Sequence, residues 1–331
     1  MGQGQSSLSF NTAMMHFKKG KFDYAIPLLE DSITSNFKVE EAYYYKALCY
    51  VHLKQYTKAV QDLNSSLALN PFQDNAYFYK GMALFTIGEY AKAIPCFKKA
   101  LNQKDKTKDA SYFLGVCYFQ MQLLQEALAV FNKLLQEDPS HVDALYQKGN
   151  ILLATDLHVQ AITSYEAAID FLLDKENDNL LLSNCYVMKG RALFKLTKVQ
   201  ESLQTFKKAV MYNSANEVAY YNMAIIYMHL EANILALGDL ERVLTLKKDF
   251  NLARSMKVKL HLDLPTFDSE LVEILNIYND MSAIEPDNAD CHNSRAIIHY
   301  ITGDSKRAME LFNKALSLKP SNPFVLVNQA T

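Results

Sequence analysis

Residues 74–107 read DNAYFYKGMALFTIGEYAKAIPCFKKALNQKDKT, and the spacing inside this stretch decides the fold. Tyr77, Gly81 and Leu84 stand at i, i+4 and i+7, one stripe of a first helix. Gly88 ends that helix, and Ala93, Phe97 and Ala100 form the matching stripe of a second. A small residue such as Gly81 lets the paired helix approach closely, and Ala93 does the same from the other side. The unit is an antiparallel helix pair.

Outward from this stretch the unit recurs. Phe10, Tyr44, Phe78, Tyr112 and Tyr146 are spaced 34 residues apart, and Ala42, Ala76, Ala110 and Ala144 keep the same step, resumed at Ala219 and Ala253. Such a period marks stacked helix–turn–helix units. Residues 40–73 carry Tyr43, Ala47, Tyr50, Tyr56, Ala59 and Pro71, and residues 108–141 carry Gly115, Tyr118, Ala127, Phe131 and Pro139. Nine units follow, near 6–39, 40–73, 74–107, 108–141, 142–175, 183–216, 217–250, 251–288 and 289–322. Pro71, Pro139, Pro286 and Pro320 end second helices, and Ser140, Ser214 and Asp287 read as N-caps of the helices that follow.

This aromatic–small–Tyr and Ala-x3-Phe pattern resembles the tetratricopeptide repeat family over nearly the whole chain. The resemblance implies an all-α, right-handed superhelical solenoid of antiparallel helix pairs. The expected organisation is a flexible segment at 1–9, a continuous array over 10–322, and an incomplete terminal helix at 323–331, which reads either as an imperfect cap of the stack or as the start of a unit cut short. Two irregularities break the register. Residues 176–182 are inserted after the fifth unit, and the eighth carries extra residues around Leu264-Pro265-Thr266, with its second helix resuming over Leu271 to Ala283.

Composition agrees with a helical array. Half of the 331 residues are hydrophobic, with only 10 Gly and 8 Pro. A net charge of −2 supplies no field to recruit nucleic acid. Five cysteines without a C-x-x-C motif argue against a disulfide framework or a zinc site, and they read as small core residues. No phosphate-binding Gly loop or G-x-S-x-G motif occurs, and the histidines are scattered. The chain reads as a non-enzymatic, cytoplasmic protein that needs no cofactor or metal.

In the resembled family, positions two, five, nine and twelve of the first helices line a concave groove. Carried onto this chain, the candidate peptide-binding residues are Glu41, Tyr44 and Leu48, then Asn75, Phe78 and Met82, then Asp109 and Tyr112, and then Asp143, Tyr146 and Asn150. Two readings stand for the fifth-position rings: packing against a neighbouring helix, or contact with a ligand. The second position is never Lys or Arg, which favours a basic or neutral apolar segment of a protein partner. The clamp by which some family members hold a carboxylate tail is absent, since Tyr146, Asn150, Met188, Val218 and Asn222 occupy its places.

A separate signal opens the chain. Met1-Gly2-Gln3-Gly4-Gln5-Ser6 fits the acceptor pattern for N-myristoylation at Gly2. One such chain gives only marginal membrane binding, so a second contact is expected beside it. The sequence therefore predicts an interaction scaffold with a peripheral membrane tether. The competing readings are a soluble structural subunit of a large assembly, or the targeting arm of a longer protein.

Overall fold

The computed structural model describes residues 2–73, 75–102, 107–175, 178–262, 275–276, 278–279, 282–283 and 286–320. The chain divides into two compact units, Met1–Leu196 and Thr197–Thr331. In the first, five helix pairs follow one another: α1 (Gly2–Lys18) with α2 (Phe22–Thr34), α3 (Val39–His52) with α4 (Tyr56–Leu69), α5 (Ala76–Thr86) with α6 (Tyr90–Ala100), α7 (Thr107–Gln120) with α8 (Leu124–Glu137), and α9 (Val142–Ala154) with α10 (His158–Lys175). Helix α11 (Asn179–Lys195) packs on α10 and completes this unit. The second unit holds α12 (Val199–Tyr212), the pair α13 (Glu217–His229) and α14 (Asn233–Leu246), α15 (Asn251–Leu262), and the pair α16 (Ala289–Ile301) and α17 (Ser305–Leu318).

Sequence predicts one array over 10–322, whereas the structure parts into two compact units at the turn after α11. The inserted segment lies just ahead of that turn. It lengthens α10 to 18 residues and α11 to 17, and these two pack together as the last pair of the first unit. The terminal residues 323–331 and the interruption at Leu264–Thr266 lie outside the described residues.

One packing relation recurs in seven of the repeats. The eighth residue is small, and the twenty-fourth, on the second helix, is a large side chain packed against it. Where the eighth residue is Gly81, Gly115 or Gly149, the partner is a ring: Phe97, Phe131 or Tyr165. A Cβ added at these glycines would lie 2.7, 2.7 and 2.5 Å from the nearest ring carbon. Where the eighth residue is Ala13, Ala47 or Ala224, the buried partner is the smaller Leu29, Leu63 or Leu240. Ala296 and Phe312 share a cluster and depart from this volume exchange. A wholly buried alanine at position twenty (Ala25, Ala59, Ala93, Ala127, Ala161, Ala236) keeps the two helices close.

The turn inside each pair is equally regular. Its fifteenth residue is left-handed at Gly20, Lys54, Gly88, Gln122, Asp156, Thr197, Glu231 and Gly303, although only three of these are glycine. The next amide closes the helix by donating five residues back: Gln55 to the Tyr50 carbonyl at 2.8 Å, Glu89 to Leu84 at 2.9 Å, and Ala232 to Tyr227 at 2.8 Å. Satisfied carbonyls outweigh the ~1–2 kcal/mol cost of a left-handed non-glycine residue.

Two local expectations are corrected. The predicted caps Ser140, Ser214 and Asp287 are displaced by His141, Asn216 and Asn288, whose side chains accept from the amides of Ala144 (3.3 Å), Ala219 (3.1 Å) and Cys291 (3.1 Å). A turn built on the preceding Asp138 or Asn213, which accepts from the amide two residues on, shifts the helix start. Segment 2–9, expected to be flexible, is the start of α1. Ser6, Phe10 and Ala13 fall at i, i+4 and i+7 and are buried, so the packed stripe reaches back beyond the first aromatic.

Gly149→Ala must displace the Tyr165 ring, and a loss of about 1–3 kcal/mol in urea-measured stability is expected. Gly238 sits inside α14 with no atom within 4 Å of an added Cβ, and Gly238→Ala should instead stabilise by about 0.5–1 kcal/mol. Burial pushes the Asp239 carboxyl up to about 6 against the opposing pull of Lys207. Its folded-state pKa lies above the unfolded one, so the burial penalty is absent below about pH 4, grows as the pH rises from about 4 to 6, and is fully present above that. Asp239→Asn should therefore raise the thermal midpoint at pH 7.5, with the difference closing near pH 4.

Candidate binding groove

Within Met1–Leu196 the first helices form a ladder: α1 meets α3, α3 meets α5, α5 meets α7, α7 meets α9, and α9 meets α11. The second helices of successive repeats approach each other less closely among the described residues. The first helices therefore make the inner face, where the groove residues were expected.

At the amino-terminal end that face is closed by rings. The fifth-position ring of one repeat meets the sixth-position ring of the next, edge to face: Phe10 on Tyr45 at 6.4 Å, Tyr44 on Tyr79 at 6.3 Å, and Phe78 on Phe113 at 6.3 Å. Tyr44, Leu48 and Phe78 are buried, so they are core in this fold and do not offer a ligand surface. Met82 is half-buried against the same cluster as Phe78. Glu41 is held by Lys38 at 2.9 Å, and Asn75 takes the left-handed N-cap position of α5. Sequence reasoning missed the role of position six, although Tyr45, Tyr79 and Phe113 repeat at the same 34-residue step.

The aromatic series at position six ends at Gln147 and Met188, and there the face opens. Tyr112 and Tyr146 are only half-buried, with Tyr112 stacked on His141 at 5.4 Å and Tyr146 lying 6.0 Å from Tyr165. Burial raises the pKa of both phenols, which therefore stay neutral donors. Asn150 is fixed from two sides: its Oδ1 accepts from the Tyr165 hydroxyl at 2.8 Å, and its Nδ2 donates to Gln147 at 3.2 Å. Asp109 and Asp143 are exposed near the helix starts. Beside Asn150 a cavity of about 430 Å³ is lined by Phe119, Leu153, Met188, His158, Arg191 and Lys195 among others. Of the predicted residues, Tyr112, Tyr146 and Asn150 are thus brought together at the open end, and Arg191 and Lys195 are additions that position-by-position reading did not select.

All five cysteines are free and buried, and burial pushes the thiols of Cys49, Cys117 and Cys185 up to about 12, far from a nucleophilic thiolate. Among the described residues no group of His, Cys, Asp or Glu is placed to hold a metal ion. No described helix is long and apolar enough to cross a membrane.

Two family models match the sequence. The one described as anaphase-promoting complex, cyclosome, subunit 3 fits twice, over residues 18–100 and 86–168, and the tetratricopeptide repeat model fits 183–216 and 289–322. No curated protein matches. Among solved structures, a tetratricopeptide repeat protein from Parabacteroides merdae superposes with a TM-score of 0.54 at 18% identity, over 88% of this chain and 97% of that one. The APC/C hetero-tetramer Cut9–Hcn1 gives 0.52 at 12% identity, over 98% of this chain and 75% of that one. MamA from Desulfovibrio magneticus gives 0.50 at 20% identity, over 54% of this chain and all of that one. These likenesses carry the fold. With the 34-residue step and the recurring small-on-large contact between paired helices, they identify the chain as a tetratricopeptide-repeat protein.

Proposed function

We propose that the protein is a non-enzymatic cytoplasmic scaffold that grips a segment of a protein partner along the inner face of Met1–Leu196. The observation that carries this reading is the opening at α7, α9 and α11, where the interlocking rings stop. There Tyr112 and Tyr146 are only half-buried, and Asn150 lines a cavity large enough for side chains of a bound peptide. Tyrosine at such a face offers apolar area together with a hydroxyl for a peptide backbone. The residues at the second position, Glu41, Asn75, Asp109 and Asp143, favour a basic or neutral apolar stretch over the earlier repeats. A myristoyl group on Gly2 would tether the scaffold to a membrane, a reading that rests on the Met1–Ser6 pattern.

A second reading, a structural subunit of a large assembly, is favoured by the match of residues 18–168 to the anaphase-promoting complex subunit 3 model. It places the partner in permanent rather than transient contact with the same repeats.

Three measurements separate these readings. A photo-cross-linking residue at Ala154, which lines the groove, should give a partner adduct in cells, while one at the exposed Val159 on α10 should not; equal labelling at the two sites would remove the groove reading. The intact mass of protein purified from eukaryotic cells should show a myristoyl adduct that Gly2→Ala abolishes, and a bare or acetylated terminus would remove the tether. A native mass far above 37.7 kDa that withstands high salt is the outcome expected of an assembly subunit.

A further inference from the structure

Positions nine and thirteen of the first helices become cationic at α11: α3, α5, α7 and α9 carry Leu48 and His52, Met82 and Thr86, Val116 and Gln120, and Asn150 and Ala154 there, whereas α11 carries Arg191 and Lys195. Lys189 is neutralised by Glu166 on α10 at 2.7 Å. Arg191 and Lys195 are exposed, lie one helical turn apart on one face, and have no carboxylate partner among the described residues. The Arg191 guanidinium lies 3.6 Å from the Met188 sulfur. Both cations line the cavity of about 430 Å³ whose apolar residues are Phe119, Leu153 and Met188. His158, on the same cavity, leaves its Nδ1 buried without a hydrogen-bond partner.

We propose that this cavity is the docking point for an acidic part of the partner segment, an Asp or Glu side chain held by Arg191 and Lys195 while an adjacent apolar side chain enters against Phe119, Leu153 and Met188. The proposal rests on the groove reading above and names the partner chemistry at one end of it. Charge complementarity selects the occupant. Asp156 also lines the cavity, with its Oδ1 3.7 Å from His158 Nε2, but Arg191 and Lys195 leave the lining net positive, which disfavours a basic residue and leaves a purely apolar segment with the cations unused. The planar guanidinium of Arg191 suits a carboxylate, and the apolar contact fixes which acidic residue is read. A partner that spans the whole face is thus basic or neutral over the earlier repeats and acidic where it reaches α11.

The test uses the full chain with 13C-labelled methionine methyl groups, so that Met188 reports on the cavity. It is titrated with the amidated peptide acetyl-Leu-Glu-Leu-Glu-Leu and with its counterpart carrying Gln for Glu. The Glu peptide should shift the Met188 signal at about five- to tenfold lower concentration, as expected for two exposed ion pairs. That advantage should vanish in Arg191→Gln/Lys195→Gln, whose substituted side chains are exposed and whose unchanged melting temperature would show an intact fold. Equal response to the two peptides, or a Glu preference that survives the double substitution, would overturn the acidic docking point while leaving a groove that binds peptides. Silence towards both peptides overturns the docking point as well, and the cross-link at Ala154 then decides separately whether the groove is used at all.

Discussion

The contact between the eighth residue of a repeat and the large side chain at the twenty-fourth holds the rest of the structure together. Each helix pair is too small to bury its own apolar stripe, so its stability comes from stacking on its neighbours. The stack forms only if the paired helices approach closely enough for Phe97, Phe131 or Tyr165 to lie over the backbone of Gly81, Gly115 or Gly149. Burial of one such side chain is worth about 1.5–3 kcal/mol. A single methyl group on the facing glycine would overlap the ring, and so the Ala13, Ala47 and Ala224 repeats carry leucine instead. Volume is thus exchanged between the two positions in these six pairs, from which Ala296 with Phe312 departs.

A second tier of contacts decides what the inner face can do. Rings at positions five and six interlock from α1 to α7 and fill the space a ligand would need. With Gln147 and Met188 in the sixth position, the interlocking ends and the cavity beside Asn150 appears. The same residues that rigidify the amino-terminal repeats leave the α7–α9–α11 region with aromatic, amide and cationic groups available to a partner.

Much of the fold was legible in the sequence because each repeat states the same local rule several times over. Ala42 to Ala253, Gly81 to Gly190 and the stop at Gly88 give helix faces, helix pairing and turn placement without reference to distant residues. Left-handed turns at Lys54, Gln122, Asp156, Thr197 and Glu231 were not legible, because nothing in those side chains demands that conformation. It is imposed by closure of the preceding helix. The caps at His141, Asn216 and Asn288 were likewise hidden behind better cap-formers nearby, since Asp138 and Asn213 were already used to build the turn.

By itself the sequence determined the class of molecule, the 34-residue unit, the chemistry of its buried stripes and the burial of its cysteines, all properties of local periodicity. Only tertiary structure decided which aromatic residues are buried and which stay half-open. Tyr44, Phe78, Tyr112 and Tyr146 hold the same place in their repeats, yet the first two are buried and the last two are half-open. Their difference lies in the sixth-position side chain of the next repeat, at Tyr79, Phe113, Gln147 and Met188. The pairing of Arg191 and Lys195 with an apolar cavity has the same origin: α7, α9, α10 and α11 each supply part of it, and they meet only once the repeats have stacked.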